Sequence, residues 1–106
     1  MTHGFRAAAV ILMAAFIAVS AFTQATGASI YRSKCAMCHG ADGLAMTPMA
    51  KSMKELSFKD PAMLKASDAR FFASTKFGIN KMPGYSTRLT DQEIKDVIAF
   101  IRTLQK

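Results

Sequence analysis

Residues Cys35-Ala36-Met37-Cys38-His39 constrain this chain more than any other part of it. On a helical turn Cys35 and Cys38 are three apart and Cys35 and His39 four apart, so the two thiols and the imidazole share one face. That is the spacing of c-type haem attachment. The thiols add to the two vinyl groups of the cofactor, and the imidazole reaches the iron from the same side. Because thioethers are permanent bonds, the cofactor cannot be lost. Cys35, Cys38 and His39 are therefore read as binding one haem c, with His39 also a ligand to its iron.

Other uses of the two thiols fit less well. A disulfide between Cys35 and Cys38 closes a loop too small to constrain much and leaves His39 unexplained. A zinc site takes four ligands, whereas the chain after its leader has two cysteines and one histidine. A thioredoxin-like pair expects a βαβ context, and no stretch combines alternating apolar residues with hairpin turn chemistry.

The N-terminus is unlike the rest. Thr2 to Arg6 is short, polar and weakly basic, and Ala7 to Phe22 is apolar apart from Ser20. This is the profile of a secretory leader. The apolar run falls short of the roughly 20 residues of a spanning helix, so cleavage is expected, although a retained anchor is the rival reading. A cut after Ala25 divides the chain into a leader, 1–25, and one domain, 26–106, with Ala21 and Ala28 as alternative sites. It leaves 81 of the 106 residues and removes Arg6 alone among charged residues, so a formal net charge of +7 becomes +6. A domain this small buries too little apolar surface to be comfortably stable unaided, and a covalent cofactor supplies the missing staple.

Helical signals dominate the domain. Thr90 followed by Glu93 is a capping box, with Asp91 favourable near the positive end of the helix dipole. Beyond it Ile94, Val97, Ile98, Ile101 and Leu104 form one apolar stripe, and Arg102 and Lys106 suit its C-terminal end. Thr47-Pro48 and Asp60-Pro61 mark two further starts, because proline is tolerated at the first helical position. The first of these places Met49, Met53 and Leu56 on one face; the second spans a turn or two. Ser67-Asp68 opens another helix, through Phe71 and Phe72 to a stop at Gly78, and the segment from Gly27 to Cys38 is expected to be helical. The fold class is all-α, with four to five helices around one haem.

The iron has a second ligand position opposite His39. The other histidine, His3, lies in the leader, which leaves methionine, lysine or an open position. Met37 sits inside the attachment motif, too close to reach the opposite haem face. Met49, Met53 and Met63 fall on apolar helix faces, where methionine serves as core filler. Met46 lies in a loop close behind His39. Met82 occupies the glycine-bounded loop from Gly78 to Gly84, where Pro83 restricts it to extended backbone. Such a loop can aim and hold a side chain, so Met82 is the candidate second ligand, with Met46 next.

With these residues in place, the chain resembles the small class I bacterial cytochromes c along nearly the whole domain. The likeness rests on the attachment motif followed by Gly40, on Met82-Pro83, and on a terminal helix with Phe100 in Val97-Ile98-Ala99-Phe100-Ile101-Arg102. Gly27, Tyr31 and Cys35 are similar to the family's first helix, and the resemblance implies that Gly27 packs against the last helix at Phe100. It also implies Met82 as sixth ligand, and a hydrogen bond from His39 to the carbonyl of Pro48. The chain departs from some relatives in having no tryptophan beside a haem propionate.

The expected function is that of an exported, periplasmic single-electron carrier rather than an enzyme, since histidine and methionine together fill the iron's coordination. A thioether ligand and burial among Met49, Met53, Met63, Phe71, Phe72, Ile94, Val97, Ile98 and Ile101 favour the reduced iron and a positive potential. Lys34, Lys51, Lys54, Lys76 and Lys81 flank these motifs and suit redox partners with acidic docking surfaces. The carrier is expected to be monomeric, with no nucleic-acid role and with membrane contact only if the leader is retained. The alternative is a haem c subunit of a larger oxidoreductase.

Overall fold

The structure is a computed structural model that describes residues 26–106; the leader and the cut at Ala25 lie outside them. Helix α1 runs over 26–34, followed by α2 (Ala36–His39), α3 (Pro48–Met53), α4 (Pro61–Lys65), α5 (Asp68–Phe77) and α6 (Asp91–Leu104). The fold is all-α. The strand-like pairing among the described residues is a single bridge between Ile79 and Met82.

Side chains already visible in the sequence start four of these helices. The Thr47 hydroxyl accepts from the Ala50 amide, Asp60 from Ala62, Ser67 from Arg70 and Thr90 from Glu93, at 3.0–3.1 Å. The Glu93 carboxylate in turn accepts from the Thr90 amide at 2.9 Å, which completes the capping box. Each contact satisfies an amide that the helix leaves without an internal partner. The expected helix from Gly27 to Cys38 is interrupted at Cys35 and reaches one residue further, to His39. The interruption is shallow, because Cys35 still donates to Tyr31 and accepts from His39 at 2.9 Å. Counting α1 and α2 as one bent helix restores the expected number.

The core lies where α6 meets α1 and α5. Ile94, Val97, Ile98 and Ile101 are buried along the α6 stripe, against Tyr31, Phe58, Phe71 and Leu89. The predicted contact of α1 with α6 is present. A Cβ on Gly27 would run into the Asp96 carbonyl and lie 3.2 Å from Phe100 Cβ, so only glycine lets the backbones come this close. Tyr31, one turn on, packs its ring 5.2 Å from that of Phe100.

Arg102 joins three elements. Its guanidinium donates to Asp68 at the start of α5, to the Ala66 carbonyl and to Gln105, and lies 4.4 Å over the Phe71 ring. Met49 departs from expectation: it is 44% exposed, while Ala50 is the buried residue of α3. The helix is rotated so that Ala50 and Met53, three apart, turn inward.

Candidate functional site

A cavity of about 600 Å³ opens among α2, α4, α5, α6 and the Met82 loop, within the roughly 300–1,000 Å³ typical of small-molecule and cofactor sites. Cys35, His39 and Met82 all line it, and Met63, Phe71, Val97 and Ile101 contribute its apolar wall. Residues 35, 39 and 82 therefore converge on one space from two distant parts of the chain. Cys38 lies beside this group with its sulfur 4.0 Å from that of Met53, and neither cysteine is in a disulfide. Ile94 and Ile98 belong to the core, and Phe72 packs against it. Met46, the second candidate ligand, is 66% exposed and borders a smaller recess beside Gly40.

The attachment segment is anchored at both ends. The Tyr31 hydroxyl, fully buried, donates to the Gly40 carbonyl at 2.6 Å. Gly40 has φ +85°, which takes the chain out of α2, and the Ala45 amide donates back to the His39 carbonyl at 2.9 Å. The Thr47 hydroxyl, besides capping α3, donates to the Cys38 carbonyl at 2.8 Å.

The His39 ring is buried and stacks on Phe58, with centroids 4.8 Å apart. Burial lowers its pKa below the ordinary histidine value, with Glu55 pulling weakly the other way. At neutral pH the imidazole is thus neutral, the form that ligates iron. Its Nδ1 is buried and without a partner, so the expected hydrogen bond to the Pro48 carbonyl is not made. Burial also pushes the Cys35 thiol up to about 11, against the opposing pull of Lys34. A thiol held protonated is a poor metal ligand. Among the described residues no cluster of three His, Cys, Asp or Glu side chains is placed to hold a bare metal ion.

The Met82 loop is closed by short-range geometry. Met82 donates to the Ile79 carbonyl at 2.9 Å and Ile79 to the Met82 carbonyl at 3.2 Å. A Cβ on Gly78, which has φ +85°, would lie 2.8 Å from the Met82 carbonyl oxygen. Beyond the loop, Tyr85 and Ser86 donate to the Thr75 and Lys76 carbonyls of α5, and the Tyr85 hydroxyl reaches the Lys34 carbonyl at 3.2 Å. Tyr85 thus ties the Met82 side of the cavity to the helix that carries Cys35. Nothing in its sequence context marks that role.

These features fit a flat iron porphyrin: an apolar slot of adequate size, a neutral imidazole and a thioether on its wall, and free thiols beside it. The rim adds Lys54, Lys65 and Arg70, cations suited to an anionic cofactor edge. Residues 22–101 match the family described as cytochrome c oxidase, cbb3-type, subunit III. The chain belongs to the small class I c-type cytochromes. Cytochrome c6 of Thermostichus vulcanus is 29% identical over 105 residues, which cover 95% of this chain and 91% of that protein. Cytochrome c6 of Limnospira maxima is 34% identical over 82 residues, covering 73% and 88%. The cbb3-type cytochrome c oxidase subunit CcoP of Cereibacter sphaeroides is 30% identical over 85 residues, but these span 27% of that longer protein. Among solved structures, the KustC0563 c-type cytochrome superposes with a TM-score of 0.69 at 28% identity, covering 76% of this chain and 98% of that one. As a c-type cytochrome the chain carries covalently bound haem c and transfers electrons.

Proposed function

We propose that this cytochrome is an exported, freely diffusing one-electron carrier, with haem joined to Cys35 and Cys38 and ligated by His39 and Met82. The observation that supports it best is the convergence of Cys35, His39 and Met82 on one apolar cavity. Bound haem supplies an iron that alternates between ferrous and ferric states. The protein's own part is to hold the imidazole neutral and buried, to present the Met82 thioether from a closed loop, and to keep water from the iron. A thioether ligand in a dry pocket favours the ferrous state and raises the potential. Two protein ligands leave no position for a substrate, which supports a carrier over an enzyme. No helix among the described residues is long and apolar enough to cross a membrane.

Carbon monoxide tests the ligand set. The reduced protein is expected not to bind it at neutral pH, because His39 and Met82 would both ligate the iron and leave it no open position. Rapid binding contradicts Met82 ligation and points to an open site. The likeness to an oxidase subunit supports a second reading, that of a fixed haem subunit. Stoichiometric copurification with a membrane oxidoreductase would favour it over the free carrier.

A further inference from the structure

The loop that carries Met82 is fastened to α5 at both of its ends. A Cβ on Gly78 would lie 2.9 Å from the Gly84 amide nitrogen, and one on Gly84 would lie 2.8 Å from the Lys76 carbonyl oxygen, so backbone meets backbone at both glycines. The Tyr85 amide adds a hydrogen bond to the Thr75 carbonyl at 2.9 Å, and the Ser86 amide one to the Lys76 carbonyl at 3.1 Å. All of these hold the loop to one wall of the cavity. Cys35 and His39 reach the same cavity from the bent helix of α1 and α2.

Tyr85 crosses between the two. Its hydroxyl donates to the Lys34 carbonyl at 3.2 Å, joining residues 51 apart in the chain, and Lys34 directly precedes Cys35. The ring is half-buried against the core, and the Arg88 guanidinium lies 4.5 Å over it. Cys35 and Cys38 are both near enough to oppose ionisation of the phenol, which puts the hydroxyl on the attachment side of the site. The Arg88 and Leu89 amides donate to the Tyr85 carbonyl at 3.0 and 2.9 Å, so the backbone that carries the ring is fixed as well.

We propose that Tyr85 is a positioning residue: its hydroxyl latches the Met82 loop to the attachment helix and slows the opening of that loop away from the iron. This rests on the reading of Met82 as the second axial ligand. A thioether favours ferrous over ferric iron, so the latch matters most in the oxidised protein, where the ligand is most easily displaced. Loops open locally, at a free energy well below that of global unfolding. One hydrogen bond that adds little to overall stability can therefore set how often this loop opens.

Cyanide displaces a thioether from ferric haem, and at saturating cyanide its binding rate is limited by the opening of the loop. The test measures that limiting rate in the ferric holoprotein, in Tyr85→Phe and in Thr90→Ala. Tyr85→Phe keeps the ring and removes the hydroxyl. Its limiting rate is expected to rise about two- to tenfold, the effect of one hydrogen bond on an opening step, with the iron–sulfur charge-transfer band still present before cyanide is added. Thr90→Ala removes the cap of α6, so it is expected to lower the melting temperature and leave the rate unchanged. An unchanged rate in Tyr85→Phe overturns the proposal, as does an equal rise in Thr90→Ala. The ligand reading fails separately. If the unsubstituted protein lacks the charge-transfer band and its rate climbs in proportion to cyanide without a limit, Met82 is not on the iron and both readings fall. If Tyr85→Phe does not retain haem, nuclear Overhauser cross-peaks from the Tyr85 ring to the Lys34 and Cys35 backbone protons in the unsubstituted ferrous protein decide the matter. Their presence supports the latch and their absence overturns it.

Discussion

Tyr31 shows how one side chain can serve packing and site together. Its ring fills the junction of α1 and α6, and its hydroxyl holds the Gly40 carbonyl directly after His39. Tyr31→Phe keeps the ring but leaves that carbonyl without its donor, at a cost of about 1–3 kcal/mol. Burial also raises the phenol pKa well above its ordinary value near 10. Above pH 10 the unfolded chain therefore gives up a proton that the folded chain keeps, and stability falls as pH rises. Tyr85 is raised in the same direction, again chiefly by burial, so part of the decline survives the substitution. Denaturant midpoints from pH 8 to 11 are expected to fall less steeply for Tyr31→Phe than for the unsubstituted protein. Parallel slopes would show that Tyr31 is not the group responsible.

The crossing of α1 and α6 turns on Gly27. In an open helix Gly27→Ala would gain about 1 kcal/mol of propensity. At this crossing the added Cβ runs into the Asp96 carbonyl, and overpacking of that kind costs about 1–3 kcal/mol. The clash is expected to win, and in a domain this size each kcal/mol lowers the melting temperature by about 4–8 °C. A melting temperature that rises instead would mean the helices do not meet at residue 27. This contact was legible in the sequence through resemblance, and the starts of α3 to α6 were legible directly, because Thr47, Asp60, Ser67 and Thr90 act within three residues of themselves. What stayed hidden depends on side chains distant along the chain. The spacing of Met49 and Met53 suggested a shared face, but six residues of α3 are too few to fix its rotation, and Ala50 turned inward instead. The ties made by Arg102 and Tyr85, and the stack of Phe58 on His39, join segments 19 to 51 residues apart. Cys35, His39 and Met82 line one cavity; Met82 was reached in the sequence by weighing the methionines as a second ligand to a haem iron, with an open position as the rival.

The whole domain is built around a space the polypeptide does not fill. Its lining includes Met63, Phe71, Val97 and Ile101, apolar surface that a bound cofactor would take out of water, and small domains have only about 5–15 kcal/mol of stability to lose. A Cys35→Ser, Cys38→Ser chain freed of haem is accordingly expected to melt without a cooperative transition, by circular dichroism; a sharp melt would contradict the cofactor's structural role. At the surface, the expected basic docking set loses one member, since Lys76 is paired with Asp91 at 3.0 Å and lies over the Phe72 and Phe77 rings. Lys34, Lys51, Lys54 and Lys81 are exposed. Exposed charges are screened beyond about 8 Å at physiological salt, so electron transfer to an acidic partner is expected to slow as salt is added, more sensitively to Lys81→Ala than to Lys76→Ala. A rate independent of salt would remove electrostatic steering. The most direct test of the carrier itself is the absorption spectrum of the ferric holoprotein with and without Met82→Ala. The iron–sulfur charge-transfer band is expected in the unsubstituted protein and its loss in the variant, with haem still attached. Persistence of that band in Met82→Ala would show that another methionine, Met46 first among them, faces His39 across the haem.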